Sequence, residues 1–185
     1  MSLTRRTFST IAAAASAGKI FGANDRIKVG VIGTGGRGSA HIKGIHAVRD
    51  LNVTVAAVCD LWRPNREKAV EAVRQAFGEA PRQTADFREL LGWDDIDAVV
   101  IATPDFWHCP ILTASVRAGK DVYVEKPLGV DFSELKEAYQ TVKASDRVVQ
   151  VGTQYRSEPR LITAAGMIKK GILGRINRVE AAYNV

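Results

Sequence analysis

From Arg26 onward, short β-branched runs alternate with stretches whose apolar residues return every three or four positions, the pattern of a parallel sheet linked by helical crossovers. Strands are predicted at residues 27–32, 53–58, 98–101, 122–124 and 148–151. After the first, Ile42, Ile45 and Val48 line one side of a helix. A second helix opens at Pro64, where the fixed φ of proline suits a first turn, places Ala69, Val73, Ala76 and Phe77 on one face, and stops at Gly78. Residues 105–118 repeat the plan, with Ile111, Leu112, Ser115 and Ala118 toward the sheet and Gly119 as the stop. Asp131, with Glu134 at capping-box spacing, opens another helix through Leu135, Ala138 and Val142. Right-handed crossovers among such units build a doubly wound α/β sheet over residues 26–152. A further helix at 158–170 leads through Gly171 and Gly174 to a strand-like run at 176–183. There Val179, Ala181 and Tyr183 alternate with polar neighbours, as if one face joins a second sheet. Residues 153–185 therefore read as the first helix and strand of a second, α+β domain.

With 185 residues, 46% hydrophobic and 25% charged, the chain has the balance of a globular protein with one sizeable core. Its formal charge of +6 raises nucleic acid as a partner, so the location of the excess matters. It sits at the ends. Arg5, Arg6 and Lys19 stand without an acid in residues 1–23, and Arg156, Arg160, Lys169, Lys170, Arg175 and Arg178 outnumber Glu158 and Glu180. No stretch interleaves a basic run with stacking aromatics, so no nucleic-acid partner is expected. Cys59 and Cys109 fit neither a metal-ligand spacing nor a disulfide framework; they read as buried small hydrophobes, and no metal is expected.

The opening residues look like an address. Thr4-Arg5-Arg6-Thr7-Phe8, followed by Ile11 and four alanines, resembles a twin-arginine export signal, with Ala15-Ser16-Ala17 as a cleavage site. The competing reading is a basic leader or short amphipathic helix on a cytoplasmic protein. Twin-arginine export suits a protein that folds around a cofactor before crossing, and it predicts a periplasmic location. Nothing else approaches the roughly eighteen apolar residues of a membrane span.

Gly33-Thr34-Gly35-Gly36-Arg37-Gly38 fits G-x-G-x-x-G and lies directly between the first strand and a helix, the context that gives this pattern its meaning as a Rossmann-fold dinucleotide site. Gly33 serves a tight turn, Gly35 the close approach of a pyrophosphate, and Gly38 close helix packing, with the helix N-terminus facing the phosphates. Asp60 falls just past the second strand, where a carboxylate accepts hydrogen bonds from the adenosine ribose and repels a 2′-phosphate. NAD is therefore favoured over NADP. Arg63 pulls the other way and is read as a solvated helix-start residue.

Beyond the glycine loop stand Ala102-Thr103-Pro104-Asp105 with Trp107-His108, then Gly119-Lys120-Asp121-Val122-Tyr123-Val124-Glu125-Lys126-Pro127, then Gly152-Thr153-Gln154-Tyr155-Arg156. In order and spacing, over about residues 26–185, the chain resembles the Gfo/Idh/MocA oxidoreductases, the glucose-fructose oxidoreductase and inositol dehydrogenase family. The resemblance implies that Lys126 of Glu-Lys-Pro lies beside the nicotinamide. There it assists proton transfer as hydride moves between a sugar-like carbinol carbon and the cofactor. A lysine at the carboxyl end of a parallel strand, partly desolvated, has chemistry suited to that role. Pro127 is expected in a cis bond. By the same resemblance, Thr103, Pro104, Glu125 and Gln154 run past the cofactor, and Tyr155 and Arg156 face substrate. His108 contacts the cofactor or is a capping, partly buried histidine. Arg156 has a surface salt bridge as its competing role. His41 and His46 read as structural or solvent-facing.

The family continues into a large sheet domain that forms the dimer face and supplies an aspartate and a histidine, to which no residue here corresponds. The chain is therefore expected to be a fragment that holds cofactor but turns over little alone, with a homo-oligomer expected only of the longer protein. The leading expectation is a dehydrogenase of sugars or cyclic polyols. An exported NAD-dependent glycosidase of the same fold is the second; its members tend to lack Glu-Lys-Pro, so Lys126 speaks against it. A non-catalytic NAD-binding domain is the third.

Overall fold

The structure, a computed structural model, describes residues 26–181. Six parallel strands form one sheet: β1 (Ile27–Ile32), β2 (Val53–Cys59), β3 (Arg82–Thr84), β4 (Ala98–Ile101), β5 (Asp121–Glu125) and β6 (Val149–Gly152), in the order β3-β2-β1-β4-β5-β6. Helices α1 (Gly36–Ala47), α2 (Arg63–Phe77), α3 (Phe87–Leu91), α4 (His108–Arg117), α5 (Phe132–Lys143) and α6 (Pro159–Lys169) connect or follow them. This is the doubly wound Rossmann sheet expected from the alternation of runs. The strand order reverses between β1 and β4, so a crevice opens at the carboxyl ends of those two strands.

Period-2 alternation divides the core between the two faces. Val29 and Val31 of β1 pack with Val55 and Val58 of β2 against Ile42 of α1 and Val73 of α2. Ile32, Ile101, Val122 and Val124 pack on the opposite face with Leu90 and Leu112. A register shift lies between Val29, which pairs Val55, and Gly30, which pairs Ala57. The extra residue, Ala56, returns β2 to phase, so Val55 and Ala57 serve different faces. Gly30 leaves room for this crossing: a Cβ there would lie 2.8 Å from Leu90 Cδ2.

The helix signals act where the sequence puts them. Pro64 falls in the first turn of α2, and Gly78 ends it at φ 85°, donating its N–H to Arg74 O at 2.9 Å. The Asp131 carboxylate accepts the Glu134 N–H at 3.0 Å and caps α5. Lys120 is buried, its ammonium donating to the carbonyls of Trp93 and Ile96 at 2.8 Å each, which ties the end of α4 to the turn before β4. No described helix is long and apolar enough to cross a membrane.

Three expectations need correction. Val48 and Ala118 are exposed, because each helix ends one residue before them and they fall on its C-cap. The run 176–181 forms no strand. Alternation describes a side-chain pattern, but a strand exists only against a ladder partner, and none of the described residues offers one. The twin-arginine segment lies outside the described residues.

Candidate functional site

The loop between β1 and α1 separates glycines required by packing from one that is not. Gly33 takes φ 84°, in the left-handed region, and a Cβ on it would lie 2.7 Å from the Ala102 carbonyl. A Cβ on Gly38 would meet Gly33 O at 1.9 Å, so Gly38 lets α1 sit on the loop. Gly35 adopts φ −61°, open to any residue, and the nearest atom to a Cβ there is Asn65 Nδ2 at 3.7 Å. The protein does not need a glycine at that position; the space in front of it does. Gly35 caps α1 without a side chain and the first turn holds no acid, so its amide end is left to an external anion.

Asp60 follows β2 and braces the loop. Its Oδ2 accepts the Thr34 N–H at 2.7 Å and the Thr34 hydroxyl at 3.1 Å, and its Oδ1 accepts the Trp62 N–H at 2.9 Å. A carboxylate offers about four acceptor positions, so the three contacts leave one, and Asp60 lines the cleft where a ribose hydroxyl could take it. That cleft, about 900 Å³, has Gly33, Gly35, Asp60, Trp62, Phe106 and Trp107 among its lining, a largely apolar chamber whose charged residues are Asp60, Asp86 and Arg88. Arg63, at the start of α2, has a side chain 77% exposed and pairs with Glu67 at 3.6 Å, as a solvated helix-start residue does.

A second cavity of about 540 Å³ lies beside the first, at the ends of β4 and β5. It is polar, with Arg37, Asp105, Glu125, Lys126, Gln154 and Tyr155 in its wall. Both cavities are lined by Ala102 and Thr103 at the end of β4. Thr103 Oγ1 is a buried side-chain polar atom with no hydrogen-bond partner among the described residues. Buried hydroxyls are ordinarily partnered, and this one sits where an apolar and a polar chamber meet beside a phosphate-ready helix end. These features fit an extended adenine dinucleotide: adenosine in the larger chamber, pyrophosphate at Gly35, nicotinamide in the polar one.

Glu125, at the end of β5, is only 3% exposed and gathers donors from three elements. Its Oε1 accepts Arg37 Nε at 2.6 Å, His41 Nε2 at 2.7 Å and Gln154 Nε2 at 3.1 Å, and its Oε2 accepts the Lys126 N–H and Gln154 Nε2 at 3.2 Å each. Burial works to raise its carboxyl. The hydrogen bonds from Arg37, His41 and the Lys126 N–H, with the guanidinium charge, overcome that and hold it below the usual carboxylate range. His41 was not legible as part of any site, since a lone histidine mid-helix carries no motif.

Lys126 is exposed on the wall of the polar cavity, and its peptide bond to Pro127 is cis. The partial desolvation expected of Lys126 is not supplied by the described residues. His108 is 1% exposed, with Nδ1 2.6 Å from the Pro127 carbonyl oxygen and Nε2 2.9 Å from that of Thr103. Its ring ties the turn after β4 to the turn after β5 with both nitrogens engaged, and it also stands in the wall of the polar cavity. Gln154 and Tyr155 reach the polar cavity; Arg156, exposed on the same turn, is not in its wall. Pro104 lines the adenosine chamber, while Thr34 and Gly38 are buried behind the loop. Trp62, Phe106 and Asp105 enter these walls unannounced, because position along a loop says little about which way its side chains turn.

A doubly wound sheet with a glycine loop, an acid after β2 and two chambers joined at its switch point defines a dinucleotide-binding oxidoreductase domain. The chain belongs to the GFO/IDH/MocA oxidoreductase family, whose NAD-binding Rossmann fold matches residues 27–153. It is 29% identical over 165 residues to a glycosyl hydrolase family 109 protein of Shewanella pealeana, covering 86% of this chain and 35% of that one. An alpha-N-acetylgalactosaminidase of Shewanella oneidensis is 29% identical over 163 residues, covering 85% and 35%. This chain thus spans about a third of the length of these curated relatives. Among solved structures it is similar to myo-inositol 2-dehydrogenase of Lactobacillus plantarum, with a TM-score of 0.72 at 26% identity over 82% of this chain and 43% of that one. The WlbA dehydrogenase of Chromobacterium violaceum, solved with NADH and UDP-GlcNAcA, shares the fold at a TM-score of 0.74 and 22% identity, over 84% and 43%.

Proposed function

We propose that this chain is the cofactor-binding part of an NAD-dependent oxidoreductase that moves hydride to or from a carbinol carbon of a sugar or cyclic polyol. The observation that carries this is the pair of chambers meeting at Ala102 and Thr103, with the open face of Gly35 in the wall of the larger one. Bound NAD would supply the hydride acceptor. The residues of the chain do the rest: the amide end of α1 holds the pyrophosphate, and Asp60 takes the ribose hydroxyl and disfavours a 2′-phosphate. Lys126 Nζ, without an ion-pair partner among the described residues, exchanges the proton of the substrate hydroxyl at the polar cavity. Tyr155 lines the same wall and is 76% exposed, in place to contact substrate.

The glycosidase and acetylgalactosaminidase relatives support a second reading, hydrolysis through transient oxidation of the sugar. The two part on net redox change. With NAD and a panel of inositols and sugars, a dehydrogenase accumulates NADH in step with ketone, whereas a glycosidase frees sugar from an aryl N-acetylgalactosaminide with no net NADH. NAD binding with neither product is expected of this chain alone, and only the same result for a longer protein that carries it would favour a non-catalytic cofactor domain; NADP bound more tightly than NAD would contradict the role given to Asp60. For residues 1–23 we propose twin-arginine export to the periplasm. Replacing Arg5 and Arg6 by lysine should retain the protein in the cytoplasm, and export unaffected by that change would refute it.

A further inference from the structure

Glu125 is the most heavily coordinated side chain of the site, and no step of the proposed chemistry uses it. Five donor contacts fill a carboxylate that offers about four acceptor positions, so no lone pair is left to take a proton from substrate. Glu125 is therefore not a base. Stability alone does not explain it: breaking the pair destabilises, but well-packed apolar residues in its place would serve stability as well.

Its partners give the cluster its meaning. Arg37 and His41 lie on α1, one turn apart, on the helix whose N-terminus carries the phosphate loop. Lys126, through its backbone N–H, and Gln154 are held by the same carboxylate and line the polar cavity together with Arg37. His41 is fixed in turn: its ring meets Tyr123 edge-on at 5.0 Å, and the Tyr123 hydroxyl fills the space where a Cβ on Gly152 would lie, 2.6 Å away. The contacts run unbroken from α1 through β5 to the turn after β6.

We propose that His41 and Arg37 are positioning residues that, by filling the buried Glu125 carboxylate from the phosphate-binding helix, make the placement of Lys126 and Gln154 in the nicotinamide chamber depend on the glycine loop. The inference rests on the dinucleotide reading. A positioning role of this kind acts on one half of the ligand only. ADP-ribose carries every part of NAD except the nicotinamide ring, so the ratio of NAD affinity to ADP-ribose affinity isolates the half that the cluster serves, and a merely structural defect leaves that ratio unchanged.

Both ligands are titrated calorimetrically into the wild-type chain, His41→Leu, His41→Gln and Glu125→Gln, with thermal melting as the check on folding. For His41→Leu the ratio is expected to fall roughly tenfold, the scale of a lost hydrogen bond to a charged group, with ADP-ribose binding within about twofold of wild type. His41→Gln, which returns an N–H donor at similar reach, should restore it. Should His41→Leu fail to fold, Glu125→Gln carries the same prediction, because an isosteric amide that keeps its oxygen for Arg37 and His41 turns a donor toward the Lys126 N–H. An unchanged ratio in the folded variants, or parallel loss of both ligands, overturns the proposal. A wild-type chain that binds neither ligand overturns the dinucleotide reading instead, and this inference falls with it.

Discussion

Replacing Gly35 by alanine separates a glycine kept for a ligand from one kept for the fold. At φ −61° an alanine is unstrained, and its Cβ would have no closer neighbour than Asn65 Nδ2 at 3.7 Å. Apo stability should therefore hold or rise by about 0.4–1 kcal/mol, because the unfolded chain loses freedom that glycine allows. For a chain of this size that is roughly 1–4 °C in melting temperature. Cofactor affinity should move the other way, because the methyl group occupies the approach of the pyrophosphate to the amide end of α1. Losing one charge-assisted hydrogen bond costs about 1.5–3 kcal/mol, roughly a ten- to hundredfold rise in Kd. Gly38→Ala is the opposite control: its Cβ would lie 1.9 Å from Gly33 O, so it should destabilise the apo chain by about 1–3 kcal/mol or more. Melting curves read one arm and NAD calorimetry the other. A Gly35→Ala chain that melts several degrees low yet binds NAD as wild type does would refute the reasoning, since the glycine would then be serving packing.

Thr103→Val removes a buried hydroxyl without a partner, so the apo chain should gain up to about 1–3 kcal/mol while NAD binding weakens roughly two- to tenfold; unchanged affinity would mean that the hydroxyl faces no cofactor. Because the Glu125 carboxyl is held below its ordinary value, its contribution to stability is complete above the unfolded value of about 4.3 and is lost as pH falls through the folded one. Urea unfolding at stepped pH should accordingly show a steeper acid limb for wild type than for Glu125→Gln, and parallel limbs would count against the ion-pair account. Burial, with the nearby Asp60 charge, pushes the Cys59 thiol up to about 12, and burial raises Cys109 as well. Neither should react with a thiol reagent near neutral pH until the chain unfolds, and labelling of the native protein would show that the β2 end opens.

Much of this molecule is legible in its residues because the informative elements are long and punctuated. The β-branched runs at β1, β2 and β4 bury both faces, and Pro64, Gly78 and Asp131 mark helix ends by chemistry that acts locally. What stayed hidden depends on contacts between distant residues. β3 and α3 span three and five residues, too short for any period to emerge, and β3 exists because Ala57, Val58 and Cys59 supply its ladder. The glycine loop could be read in full, but the split between Gly33 and Gly38, which pack, and Gly35, which does not, needed neighbours in space. His41 joined the site only when α1 was laid beside the end of β5. The run 176–181 failed in the other direction, since its alternation promised a partner that the described residues do not hold.

Titrating NAD into the purified wild-type chain bears most directly on the central claim, that the face of Gly35, the carboxylate of Asp60 and the hydroxyl of Thr103 together hold an adenine dinucleotide. The account predicts saturable uptake of one NAD per chain, weakened by Gly35→Ala in a protein that still melts cooperatively. No uptake at about 1 mM ligand, which excludes any binding free energy more favourable than roughly −4 kcal/mol, would contradict it.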